Sequence, residues 1–397
     1  MKKRIKLLMA LVAILLMQLV PVIAQSQTSQ QTSGDQTSTF TPSGKLWGYV
    51  FGDYMIKAHS DTLSRGKTQY AGKSYPENFN AFAFRRIYLG YDYNISEKFS
   101  AEFLLTHEGD VTDGSGDRIM YVKAANIRWK NIVKNNDLVV GQMATPFFSL
   151  MSEKVWGYRS IEKTVADMRG FAISNDLGIA WQGKAGDKGN FGYNLLVSNG
   201  TGQKLETSKF KEVWGELYVK LLEQKLILDV TGNYLMSASY PIAKSNTTIK
   251  GFIAYQTDPL TVGVEVVTQI QKNAVTDSTS GSAVYTHGNV DPFAFSVFLH
   301  GSILKNKLNY FARFDTYNPD TQYSNSDLYS KKNAYPANKY SEDFITAGFD
   351  YTPIKNVHFE PNVWIDTYQN KLSGVSGLNK SDYDFVPRLT FYYIFGK

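Results

Sequence analysis

The chain contains no cysteine. That excludes disulfide staples and thiolate metal sites, and it leaves no residue after the N-terminal apolar run to carry a lipid anchor. Histidine is scarce, with five residues, His59, His107, His287, His300 and His358. None lies in a metal-binding or G-x-S-x-G motif, and Ser100 near His107 is only a loose nucleophile and base pair. No catalytic residue, metal ligand or cofactor is therefore expected, and no glycine loop follows a strand and opens a helix. Beyond residue 24 the chain has no apolar run of transmembrane-helix length, which argues against a helical membrane bundle. Positive charge is less abundant than it first looks. The formal +6 includes Lys2, Lys3, Arg4 and Lys6, and removing these four leaves +2, too little to suggest a nucleic-acid partner.

Those four cations precede an apolar stretch from Leu7 to Leu19, then Pro21, with Val22 and Ala24 before Gln25. This is the pattern of a signal peptide over residues 1–24, removed on export. Residues 25–44 are rich in Gln, Ser and Thr and hold little that could be buried, so they read as a flexible periplasmic leader. Residues 45–397 form one domain.

Within that domain, apolar and polar residues alternate in segments of strand length. Phe191, Tyr193, Leu195 and Val197 alternate with Gly192, Asn194 and Ser198. Val357, Phe359, Val363 and Ile365 face away from His358, Glu360, Asn362 and Asp366, and the chain closes on Phe385, Leu389, Phe391, Tyr393 and Phe395. Sixteen such segments run through 45–57, 80–93, 98–108, 119–130, 137–147, 176–184, 190–198, 210–221, 225–236, 247–256, 259–270, 291–301, 307–318, 343–352, 356–368 and 383–395. Short connections alternate with long ones, the latter at 58–79, 109–118, 148–175, 199–209, 237–246, 271–290, 319–342 and 369–382. One rim is therefore tight and the other elaborated.

This pattern predicts an all-β fold, a closed 16-stranded antiparallel transmembrane β-barrel with short periplasmic turns and long extracellular loops. Closure is required because lipid leaves unpaired strand edges unsatisfied. Aromatics make up 14% of the chain. Trp47, Tyr49, Tyr88, Tyr91, Tyr93, Trp129, Trp181, Trp214, Tyr310, Trp364, Tyr392 and Tyr393 lie near strand ends, where they suit interfacial girdles.

A barrel of this size leaves an aqueous lumen. Its polar faces offer Arg86, Glu102, Lys220, Lys250, Arg313, Asp315, His358, Glu360 and Arg388 as hydrated wall groups. Arg313 and Asp315, two apart, share a face and can pair. Arg85 and Arg86 should point oppositely, one toward headgroups and one into the lumen. The 148–175 connection is the longest and can fold inward. Lys154, Arg159, Glu162, Lys163, Asp167 and Arg169 would then set the field at a constriction, with Trp156 and Tyr158 shaping its wall. A helical turn there can start at Ser152 as cap, and Gly157 limits its length. In the 319–342 connection, the spacing of Asp320, Asn325 and Asp327 matches no defined calcium loop.

GYVFGDY at 48–54, FAFRRIYLGYDYNISEKFSAEF at 82–103, YVKAANIRW at 121–129, VGQMATPF at 140–147, WGYRSIEKTVADMRG at 156–170 and FARFDTYNPD at 311–320 resemble the phosphate-selective porin O and P family. The likeness is to its Bacteroidetes-type outer-membrane members. It implies a sixteen-stranded barrel, an inward third extracellular loop and, often in that family, a homotrimer. Lys154, Arg159, Lys163 and Arg169 occupy the matching loop as an anion site, while Glu162 and Asp167 weaken the case for phosphate. The expected function is passive diffusion of small hydrophilic solutes or ions through the outer membrane, with phosphate and other anions left open. Lipid would be the other partner. The alternative is a structural or adhesive barrel acting through its extracellular loops.

Overall fold

The computed structural model describes residues 40–396, except 67, 73, 110, 150, 187, 239–241, 279–284, 323–339 and 371–380. The signal peptide, the leader up to residue 39, Asn325 and Asp327 lie outside the described residues.

The first strands are β1 (Ser43–Ile56), β2 (Asn80–Asn94), β3 (Phe99–Glu108), β4 (Tyr121–Val133), β5 (Asn136–Ala144) and β6 (Asn175–Ala185). There follow β7 (Phe191–Ser198), β8 (Glu212–Leu221), β9 (Leu226–Ala238), β10 (Lys244–Gln256), β11 (Thr261–Ser278) and β12 (Tyr285–Val290). The last are β13 (Phe293–Leu304), β14 (Leu308–Asn318), β15 (Tyr340–Ile354), β16 (Val357–Asn370) and β17 (Asp382–Phe395). Consecutive strands pair antiparallel, save that β12 and β13 both pair with β11, and β1 closes on β17, from Gly48 opposite Phe395 to Met55 opposite Arg388.

Both β12 and β13 pair with β11, and only Asp291 and Pro292 separate them. Proline brings no N–H to the ladder, so these two pieces are one interrupted stave. The barrel thus has sixteen staves, as expected.

Tight turns join the strands at one rim. Asn135 and Asn356 sit at φ 61° and 69° in two of them, using the tolerance of asparagine for the left-handed region. At the other rim two expected loops are half or more strand. β9 and β10 leave only 239–243 between them, and β11 runs on to Ser278. These extensions carry no apolar alternation. A hairpin that projects past lipid has no face that must be greasy, so the sequence signal fades before the strand ends.

Burial inverts the pattern of a water-soluble protein. Ile179, Leu195, Leu217, Val230, Ile249, Phe359 and Leu389 are exposed on the outer surface, while Glu216, Asp229, Lys250, Arg313, Asp315 and Thr390 are buried inside. A closed ladder satisfies the backbone, so this apolar exterior is suited to lipid. Tyr91, Tyr93, Tyr255, Tyr351, Tyr393 and Phe395 are exposed near the tight-turn ends, as one girdle requires. Trp47, Tyr88, Trp214 and Trp364 are not in a girdle. They are buried, because they share strand parity with the inward polar residues, and Tyr49 stacks on Tyr88 with ring centroids 4.4 Å apart.

A candidate functional site: the loop lodged in the barrel

The connection between β5 and β6 turns into the barrel and packs along its wall. It holds three short helices, α1 (Pro146–Ser149), α2 (Ser152–Trp156) and α3 (Val165–Met168). Ser152 is not the cap expected of it. Met151 takes that position with no side-chain bond, and the Ser152 hydroxyl accepts from Lys250 Nζ at 3.2 Å instead. Gly157, at φ 71°, ends α2 with its N–H on the Glu153 carbonyl, a left-handed stop that favours glycine.

Apolar side chains fix the loop against the lumen wall. Phe147, Val165, Ala166 and Phe171 pack on Val139, Met143, Trp214, Val267 and Ala294. Met151, Val155, Trp156, Tyr158 and Ile161 pack on Tyr218, Ile227, Phe252, Phe298 and Phe311. Trp156 is fully buried, with ring centroids 5.1 Å from Phe298, and its indole N–H donates to the Glu162 carbonyl at 2.7 Å. It does not line an opening, as the sequence suggested; it wedges the loop against the wall. Tyr158 packs on Phe311 at 4.5 Å and borders a cavity of about 400 Å³.

Ion pairs complete the attachment. Arg85 of β2 donates to the Ser160 and Ile161 carbonyls, both at 2.6 Å, and to Glu162 at 3.3 Å. Arg388 donates to Asp53 at 3.1 Å, to Asn362 and to the Ile161 carbonyl at 3.3 Å. Arg313 pairs with Asp315 and reaches the Lys163 carbonyl. Lys250 lies 3.4 Å from Asp229 and donates to the Phe147 carbonyl. Arg169 pairs with Glu342 and stands 3.7 Å from Asp366. Lys250, Arg313, Asp315 and Arg388 are therefore buried anchors for the loop rather than hydrated wall charges.

The remaining loop charges pair among themselves. Arg159 bridges Glu153 at 3.0 Å and Asp167 at 3.1 Å, and Lys163 stands 3.6 Å from Asp167. Burial opposes the Arg159 charge, but Glu153, Tyr88 and Asp167 outweigh it and raise the pKa well above the usual value. Burial likewise pushes Glu162 and Asp167 upward. Arg85 and Lys163 override it at Glu162, and Lys163 and Arg159 at Asp167, so both carboxyls end below the ordinary range.

Arg85 and Arg86 do not point to opposite sides. Phe51 of β1 pairs with Arg86 and Gly52 with Phe84, leaving Arg85 as the extra residue of a bulge. Both side chains are buried. Arg86 meets Glu108 at 2.6 Å, and Lys123 reaches the same carboxylate. Glu102, half-buried, accepts from Asn126 at 2.8 Å.

One group of charges stands apart. Lys154 is exposed on the loop and shares a cavity of about 690 Å³ with Arg128, Lys130, Lys184 and Lys220. Asp137 is the acid in its lining, and it is 2.9 Å from Arg128. Desolvation and the nearby Lys184 and Lys220 lower the Lys154 pKa. Lys154 and Lys220 were legible as candidates; Lys184 was missed, although it has the parity of Gln182 two residues earlier. Asp53 was also missed, and its inward parity was the available signal; Lys123 was missed because it shares the parity of the outward Ile127 and a bulge in β4, opposite Leu104 and Leu105, turns it inward.

No family model matches the chain, and no curated protein matches it. Solved structures do resemble it in fold. The outer membrane channel DcaP of Acinetobacter baumannii is 13% identical, with 92% of this chain and all of that chain covered, at a TM-score of 0.63. An anion-selective porin from Comamonas acidovorans is 11% identical, with 89% and 100% covered, at 0.58. OmpT of Vibrio cholerae is 12% identical, with 92% and 100% covered, at 0.53. The closed sixteen-stave barrel is thus an architecture this chain shares with outer-membrane proteins.

Proposed function

We propose that this chain is an outer-membrane porin for passive diffusion of small hydrophilic solutes, with a preference for anions and without catalytic activity. The observation that carries the reading is the loop between β5 and β6, which narrows a closed barrel from within, next to a cavity lined by Arg128, Lys130, Lys154, Lys184 and Lys220. Most other basic groups near the loop are neutralised at short range by carboxylates, so this cluster dominates the field a solute meets. A concave surface of one sign raises the local concentration of the opposite ion. Two of the structures similar in fold are described as an outer membrane channel and an anion-selective porin, which agrees with this reading. Phosphate is one anion it admits, and lipid is the surrounding partner. Export with removal of residues 1–24 and assembly as a homotrimer belong to the same reading.

The test is single-channel conductance of the refolded mature barrel in a planar bilayer, with the reversal potential recorded across a potassium chloride gradient. Open steps with an anion-selective reversal potential support the proposal, and block by phosphate extends it to that ion. A second reading, a barrel that acts through its loops, is favoured by the two buried clusters with which the inward loop fills part of the lumen. Folded barrels that never conduct decide for it.

A further inference from the structure

Several buried or half-buried carboxylates inside this barrel face a cation. Asp53 has Arg388, Glu108 has Arg86 and Lys123, Asp229 has Lys250, and Glu342 has Arg169. Near the tight-turn rim two neighbouring carboxylates do not. Asp350 on β15 and Glu360 on β16 are both buried, and among the described residues neither is ion-paired to a lysine or arginine. Their neighbour is His358, whose Nδ1 lies 2.8 Å from Asp350 Oδ1. Potential ligand atoms of Asp350, His358 and Glu360 all lie within 4.8 Å of one another.

Glu360 supplies the second observation. It is 1% exposed. Its Oε1 accepts from the Ser160 hydroxyl at 3.0 Å, but Oε2 is buried with no hydrogen-bond partner. An unsatisfied carboxylate oxygen in that setting is costly unless a cation or donor meets it. All three residues line the same cavity of about 400 Å³ that Tyr158 borders, so there is room beside them for an ion and its water.

We propose that Asp350, His358 and Glu360 bind one divalent first-row transition-metal ion on the barrel wall, beside the inward loop. One imidazole nitrogen and two carboxylate oxygens make a borderline donor set of the kind that takes zinc or its neighbours rather than calcium or magnesium. Three protein ligands leave a coordination position open toward the cavity. The surroundings supply supporting contacts, which metal ligands require for orientation. Asn309 donates to Asp350 Oδ2 at 3.4 Å, and the His358 ring stacks on Tyr392 with centroids 5.0 Å apart. Through Ser160, Glu360 also ties the site to the loop, so an ion bound here would hold that loop in place.

The test is calorimetric titration of the untagged, refolded mature barrel in detergent with zinc chloride. The expected result is one saturable equivalent per chain. Glu360→Gln and His358→Gln should each weaken it by at least about tenfold, since even outer-shell partners are worth about 10–100-fold. Circular dichroism and heat-shifted gel migration establish that each variant is a folded barrel. No saturable binding to the parent, or folded variants that bind zinc as tightly as the parent, overturns the proposal. Binding does not need an open pore, so this outcome is independent of the porin reading.

Discussion

The indole N–H of Trp156 donates to the backbone carbonyl of Glu162, six residues on, at 2.7 Å. This bond closes the segment between α2 and α3 on itself while the ring fills a pocket between Phe298 and Phe311. The inward loop is thus held by its own fold as well as by the wall. Trp156→Ala removes both the bond and the largest buried side chain of the loop, a loss of about 3–5 kcal/mol for a core aromatic. Trypsin should then cut after Lys154, Arg159 or Lys163 at a rate well above that of the parent. An unchanged digestion pattern would show that the ion pairs alone suffice.

Arg85 makes the densest set of contacts between wall and loop. Arg85→Ala strands Glu162 without its arginine in a buried site, and breaking such a pair costs about 3–5 kcal/mol. Arg85→Lys should recover only part of this, because one ammonium cannot serve two carbonyls and a carboxylate in the arrangement of the guanidinium. Denaturant midpoints of the folded variants check both values.

The basic cavity predicts a selectivity change. Replacing Lys154 and Lys220 together with glutamate should move the reversal potential toward cations in dilute potassium chloride. At about 1 M salt, where the screening length falls to about 3 Å, the difference from the parent should shrink. A reversal potential unaffected at low salt would remove this cavity from the conduction path.

Loop attachment should be acid-sensitive. Glu162 and Asp167 titrate below the ordinary carboxylate range in the folded state. Their contribution is therefore fully present above the unfolded value of about 4 and is lost as pH falls from there through their folded values. Trypsin is inactive in acid, so pepsin cleavage of the loop, measured from pH 4 downward, is the appropriate readout. Glu162→Gln should make that profile flatter. Constant loop protection across the range would mean that the apolar contacts hold it alone.

The stave count, the antiparallel order, the inward and outward faces and the singular length of the 148–175 connection were all legible in the sequence. Lipid outside and polar groups inside impose a period of two on nearly every strand, and each residue records that constraint locally. Other features depend on partners distant in sequence, and only the tertiary structure decided them. Arg85 faces inward because Phe51 and Gly52 of β1 set a bulge across from it, which shifts parity by one. Lys250, Arg313 and Arg388 looked like open lumen charges, yet a loop about 100 or more residues away in the chain lies over them. Asp350, His358 and Glu360 match no spacing motif, since the pairing of β15 with β16 and the approach of Ser160 bring them into one cavity. Alternation fixes which side of the sheet a residue occupies. It carries no information about what fills the space on that side.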